Sequence, residues 1–158
     1  MRAYFLSFIL AMFCTLVSCS DDSGINNSSE YKIQMDISGD QTLEFRTNTA
    51  NIIVPPANPI YRISGSMTNN GMTHTFSILI DDVWLDKDTI DLTRNLNMIT
   101  FAYDAGKDGN TYRAVAGTFI VEDLSSNRAK GTFSATLAKL GHLETTITIT
   151  NGKIDISK

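Results

Sequence analysis

Glu144-Thr145-Thr146-Ile147-Thr148-Ile149-Thr150-Asn151-Gly152-Lys153-Ile154-Asp155-Ile156 alternates polar and apolar residues almost without interruption. Side chains two apart on an extended chain share a face, so Ile147 and Ile149 line one side of a strand and the threonines the other. Threonine and isoleucine are also β-branched, which suits a pleated, half-buried surface. Asn-Gly between two alternating runs is the strongest short hairpin signal. A turn at Asn151-Gly152 is therefore expected, leading to a last strand through Ile154 and Ile156.

The same period of two governs the chain from Tyr31 onward. Tyr31, Ile33, Met35 and Ile37 alternate with polar residues over eight positions, the pattern of a half-buried antiparallel strand. Leu43 and Phe45 continue it beyond the Gly39-Asp40 turn signal, and short β-rich runs follow over Ile60 to Met67, Phe76 to Ile80, Ile90 to Leu92 and Met98 to Tyr103. Ala116-Gly117-Thr118-Phe119 is echoed fourteen residues later by Lys130-Gly131-Thr132-Phe133. A hairpin around Glu122 to Asn127 is expected there, with Gly117 and Gly131 at bulges or sharp coils where another backbone comes close. No twelve-residue window keeps apolar residues at helical spacing, so any helix is a brief insertion. The expected fold is all-β: an antiparallel sandwich or partly closed barrel of about 8–10 strands in a meander or Greek-key order.

The chain begins differently. Met1-Arg2 leads an apolar run from Ala3 to Val17 that ends in Leu16-Val17-Ser18-Cys19. A basic start, an apolar stretch and small residues at a cut site form a secretory signal, and the run is too short and too polar to span a bilayer. Three segments follow: a signal peptide over residues 1–18, an anchor and tether over 19–30, and one β-domain over 31–158. The tether SDDSGINNSSE (residues 20–30) is nearly free of apolar residues and reaches about 18 Å as a flexible chain. The two cysteines, Cys14 and Cys19, offer the mature chain no disulfide. A formal charge of −4, one unit more negative without Arg2, argues against nucleic acid or anionic headgroups as partners.

Several segments carry candidate chemistry. Asp81-Asp82-Val83-Trp84-Leu85-Asp86-Lys87-Asp88 offers paired carboxylates and one tryptophan able to stack on a sugar ring. Glycosidic acid/base work needs two carboxyls at a fixed separation across a cleft, whereas neighbours on a strand point to opposite faces. Asp104-Ala105-Gly106-Lys107-Asp108-Gly109-Asn110 begins like a calcium loop, but Gly106 stands at the second ligand position and Val115 where a bidentate Glu belongs. It suits a hairpin turn between Tyr103 and Tyr112 better. His74 and His142 are isolated, without the spacing of a zinc site. Pro56-Ala57-Asn58-Pro59 is expected as a rigid linker before the Ile60 strand. No cofactor motif occurs.

Cysteine directly after the small residue Ser18 resembles the lipobox of bacterial lipoproteins. That resemblance implies acylation of Cys19 and an outer-membrane anchor. Ser20-Asp21-Asp22 resembles the acidic export signal of surface lipoproteins of the Bacteroidota type, which implies a cell-surface location, with the periplasmic face as the alternative. The ending from Lys130-Gly131-Thr132-Phe133 to Ile149-Thr150-Asn151-Gly152-Lys153-Ile154-Asp155-Ile156 and the run Tyr61-Arg62-Ile63-Ser64-Gly65-Ser66 also resemble small uncharacterised lipoproteins of that group. Asp88-Thr89-Ile90 resembles its O-glycosylation signal, implying modification at Thr89. The expected role is a noncatalytic binding or structural module, lipid-anchored, with a glycan or protein partner and Trp84 as a stacking residue. The alternative is a calycin-like carrier of a small ligand or lipid, or a glycan-active enzyme, with Tyr112, His142 and the acidic segment as the nearest groups. A deep internal pocket would favour that alternative.

Overall fold

A computed structural model describes residues 31–54, 60–94, 96–107 and 109–158. The expected signal peptide over residues 1–18, Cys19, Ser20, Asp21, Asp22, the Pro56–Pro59 segment and Asp108 lie outside the described residues. Among the described residues ten strands occur: β1 (Ile33–Gly39), β2 (Leu43–Thr47), β3 (Ala50–Ile53), β4 (Ile60–Asn69), β5 (Met72–Asp81), β6 (Thr89–Asp91), β7 (Met98–Ala102), β8 (Thr111–Leu124), β9 (Arg128–Lys139) and β10 (His142–Ser157). A single 3₁₀ turn, Asp82–Trp84, is the brief insertion. The short strand β3, flanked by Asn48 and the proline segment, was not legible in the sequence.

All ten strands join one antiparallel sheet in the order β2-β1-β10-β9-β8-β7-β5-β4-β3, with β6 paired to β8. β2 and β3 are two arms of one bent ribbon: the first pairs with β1 and the second with β4. β5 passes over β6 to pair with β7, and β6 lies against β8 instead; the staves from β3 to β5 and from β7 to β10 lie beside their sequence neighbours, and the last strand returns to pair with β1. The sheet is thus a meander nearly closed into a barrel. Across the remaining gap the Thr47 hydroxyl donates to Ser66 O at 2.5 Å, Ser66 N–H donates to Thr49 O at 3.0 Å, and Arg46 N–H points at Met67 Sδ at 3.4 Å.

Alternation fills the inside. Ile33, Met35 and Ile37 of β1, Phe76, Ile78 and Ile80 of β5, and Leu137, Ile147, Ile149, Ile154 and Ile156 of the C-terminal strands are all buried in one cluster. Phe45 meets Phe101 edge-on at 6.1 Å between ring centres, and Phe76 stacks on Phe133 at 5.1 Å. A fully buried Phe contributes about 1.5–3 kcal/mol by leaving water.

The expected turn at Asn151-Gly152 does not form. β10 runs through both residues, pairing with β9 on one edge and β1 on the other. Between Ile149↔Ala135 and Gly152↔Phe133 the strand carries one extra residue, which is a β-bulge. Asn151 absorbs it at φ 52°. The extra residue is needed because Ile147 and Ile149 occupy odd positions and Ile154 and Ile156 even ones, yet all four are buried. The β8–β9 hairpin does form, closed by Ser125 N–H to Arg128 O at 2.8 Å. Bulges in β8 fall near Val115 and Glu122, beside the glycines rather than on them. Gly131 serves close approach: a Cβ there would lie 2.7 Å from the Phe119 ring.

Candidate functional site

The candidate groups lie far apart on this frame. Trp84 closes the 3₁₀ turn at the end of the barrel where β5 finishes, half-buried against the core, and its indole N–H meets no acceptor. The acidic residues around it serve local structure. Asp81 caps Val83 N–H at 3.5 Å, and Asp86 pairs with Lys87 at 3.2 Å. Thr89 is exposed on β6, where Thr89 faces Ile120 of β8, so its hydroxyl is open to modification chemistry.

At the opposite end, the Asp104 carboxylate, first in the calcium-like run, is held by Lys107 Nζ at 2.6 Å. Asp104, Gly106 and Gly109 all take positive φ, as a tight turn requires, and Tyr103 N–H closes it on Asn110 O at 2.9 Å. Among the described residues no group of three His, Cys, Asp or Glu side chains could hold a metal ion.

Tyr112 is wholly buried, and its hydroxyl donates to the Asp40 carboxylate. Burial, and then that carboxylate, push the phenol up to about 12, while the hydrogen bond from Tyr112 holds Asp40 below the usual carboxylate range. The pair fastens the β1–β2 loop to β8. His142 lies exposed at the β9–β10 tip, 3.5 Å from Glu144. Tyr112 and Asp81 lie at different ends, since Tyr112 pairs with Phe101, Phe101 with Phe76, and Asp81 is five residues further along β5. That is roughly 17 Å at 3.4 Å per residue, so the acidic segment is remote from Tyr112; His142 lies nearer, since both it and Tyr112 pair with Lys139 of β9, but its ring is exposed while Tyr112 is buried.

His74 sits in the barrel interior at 1% exposure. Its Nδ1 accepts Asp104 N–H at 3.3 Å, its ring packs 4.7 Å from Tyr103, and its Nε2 has no partner. Burial lowers its pKa against the opposing pull of Asp104. On the outer wall, Asp36 receives Arg46 Nη2 at 2.5 Å and Asn151 Nδ2 at 2.8 Å. Those two hydrogen bonds, Asn151's first, hold the Asp36 carboxyl below its ordinary value.

The concavities are on the outside. One, of about 650 Å³, lies over β3, β4, β5 and β7 and is walled by residues whose neighbours in sequence fill the core: Ser64, Ser66, Thr75, Ser77 and Thr100. A second, of about 450 Å³, lies beside the β10 bulge between Thr118, Thr132 and Lys153. Sequence reasoning missed both. The available signal was the run of small hydroxyl residues at outward positions of β4, β5 and β7, visible only once the register places them side by side.

No helix among the described residues is long and apolar enough to cross a membrane. Comparison with family models, curated proteins and solved structures found no match to this chain.

Proposed function

We propose that the protein is an outer-membrane lipoprotein of the Bacteroidota type, anchored through Cys19, whose β-domain binds a glycan or protein partner without catalysis, at the cell surface. The observation that carries the binding role is the packed interior. A carrier of the calycin kind needs an internal chamber of some 300 Å³ or more, whereas here the inward positions are occupied by Ile, Phe, Leu and Met side chains and the grooves open outward. The address rests on the run Leu16-Val17-Ser18-Cys19 and on Ser20-Asp21-Asp22. Two or more acyl chains hold a protein stably, since each buried methylene contributes about 0.8 kcal/mol.

Tyr31 enters at the barrel end where β10 finishes, since Asp155 N–H donates to Lys32 O at 2.9 Å. In this proposal that end faces the membrane and the turns at Asn70-Gly71 and at Asp104 face away. Cys19→Ala should abolish labelling by an acyl-chain probe; labelling that persists refutes the anchor. Replacing Asp21 and Asp22 with alanine should keep the label but protect the protein from protease added to whole cells. Equal digestion of parent and variant refutes the surface address and leaves the anchor standing.

A further inference from the structure

We infer that the outer groove over β3, β4, β5 and β7 is a binding site for an acidic glycan, a chain of sugars carrying carboxylate or sulfate groups. The inference deepens the binding role proposed above and rests on it.

Register builds the site. Asn51 lies opposite Ser64, Ser64 opposite Ser77, Ser77 opposite Thr100, and Thr100 opposite Arg113. One outward row therefore crosses five strands, roughly 19 Å at about 4.8 Å per strand. Short side chains along this row and the adjacent one leave a groove of about 650 Å³. The hydroxyls of Ser66, Thr75, Ser77 and Thr100 make no hydrogen bond to any described residue, so their donors and acceptors are open to a polyhydroxylated ligand.

Charge selects the class. Among the described residues no carboxylate lines the groove, although the chain is acidic overall. Of the described arginines, Arg46, Arg94 and Arg128 each pair with an aspartate. The two without an ion pair are Arg62, on the groove wall, and Arg113, at the end of the row. A guanidinium presents a planar fork that fits carboxylate or sulfate oxygens. Of the aromatic rings on these strands, Phe76 and Phe101 are buried in the core and Tyr61 packs against it, and none of the residues offering outward side chains to the groove is aromatic, so a neutral glycan would find chiefly hydroxyl contacts. A strand-like peptide is disfavoured because it would add to a sheet edge, whereas β4, β5 and β7, which form most of the groove, are each paired on both sides.

The test uses the full-length chain in nonionic detergent, titrated calorimetrically with oligogalacturonate, with a chondroitin sulfate oligosaccharide and with methyl-esterified oligogalacturonate. At least one acidic glycan should bind, at least tenfold more tightly than the esterified one, and more weakly as salt rises. Arg62→Gln, an exposed change that leaves the core alone, should weaken binding at least tenfold. Ser77→Phe should abolish it by filling the groove at unchanged melting temperature. Absence of binding by both acidic glycans, or binding that Arg62→Gln leaves unchanged, overturns the site. Neither result touches the anchor or the surface address, which the whole-cell experiments test separately.

Discussion

Two Asn-Gly dipeptides in this chain do opposite things. At Asn70-Gly71 both residues take positive φ, 50° and 76°, between the paired Asn69 and Met72. That is the two-residue turn whose twist matches the flanking strands, and it reverses the chain from β4 to β5. At Asn151-Gly152 only Asn151 has positive φ, and the chain goes straight on as β10. Gly71 is there for its backbone, since a Cβ would meet nothing within 4 Å. Gly152 is there for space, since a Cβ would lie 2.5 Å from the Phe133 carbonyl and 2.8 Å from its ring. The same two letters therefore encode a turn where the chain must reverse and a bulge where a strand must shift phase. Tertiary contact with Phe133 decides between them.

That difference is open to mutation. Phe133→Ala should be the most damaging change, about 3–5 kcal/mol from lost transfer and a cavity beside Phe76, read as a fall in urea midpoint at unchanged slope. Gly152→Ala should cost up to about 3 kcal/mol as an overpacked contact. The ring part of that clash vanishes in the double variant with Phe133→Ala, so the two losses should sum to less than their separate values by about 0.5 kcal/mol or more. Strict additivity would show that Phe133 does not set the bulge. Gly71→Ala should cost about 1–2 kcal/mol, the penalty of a left-handed backbone with a Cβ. Asparagine tolerates that backbone, so Gly71→Asn should recover most of the loss, whereas Gly152→Asn should be no better than Gly152→Ala.

Acid should separate the two regions by pH window. His74 lies on β5, the strand that leaves the Asn70-Gly71 turn, and its pKa is lowered by burial. The unfolded chain takes up a proton near the ordinary value of about 6.5 that the folded chain refuses. Stability should therefore drop as pH falls below about 6.5, and His74→Leu should remove that step from a plot of melting temperature against pH. Asp36, which holds Asn151 beside the other dipeptide, has its pKa lowered from 3.8. Its contribution is present above that value and lost only as pH falls through the lower folded one. Asn151→Ala should flatten this more acidic step and leave the one near 6.5 unchanged.

The fold class was legible because period-two alternation survives in nearly every strand, and β-branched residues fill the outward as well as the inward positions. Tyr103 to Tyr112 was readable as a turn from its Asp and Gly residues alone. Two things were hidden. The phase change from Ile149 to Ile154 announces an interruption without saying whether it is a turn or a bulge, because the ring that settles it, Phe133, belongs to another strand. The outer groove was hidden for the same reason. Ser64, Ser77 and Thr100 look like ordinary solvent-facing residues until pairing brings them into one row beside Arg62. Trp84 and the acidic segment stood out by composition, yet in the structure they form a short 3₁₀ turn after β5, with Trp84 packed against the core.

The near-closed barrel rests on β10 running unbroken between β9 and β1. Cross-strand nuclear Overhauser contacts on the isotope-labelled chain test it directly. Contacts from Ile149 to Ala135 and from Ile154 to Gly131, with further contacts from Ile154 to Ile33, are the predicted result. Contacts instead between Thr148 or Ile149 and Ile154, the signature of a hairpin at Asn151-Gly152, would contradict it and reopen the interior.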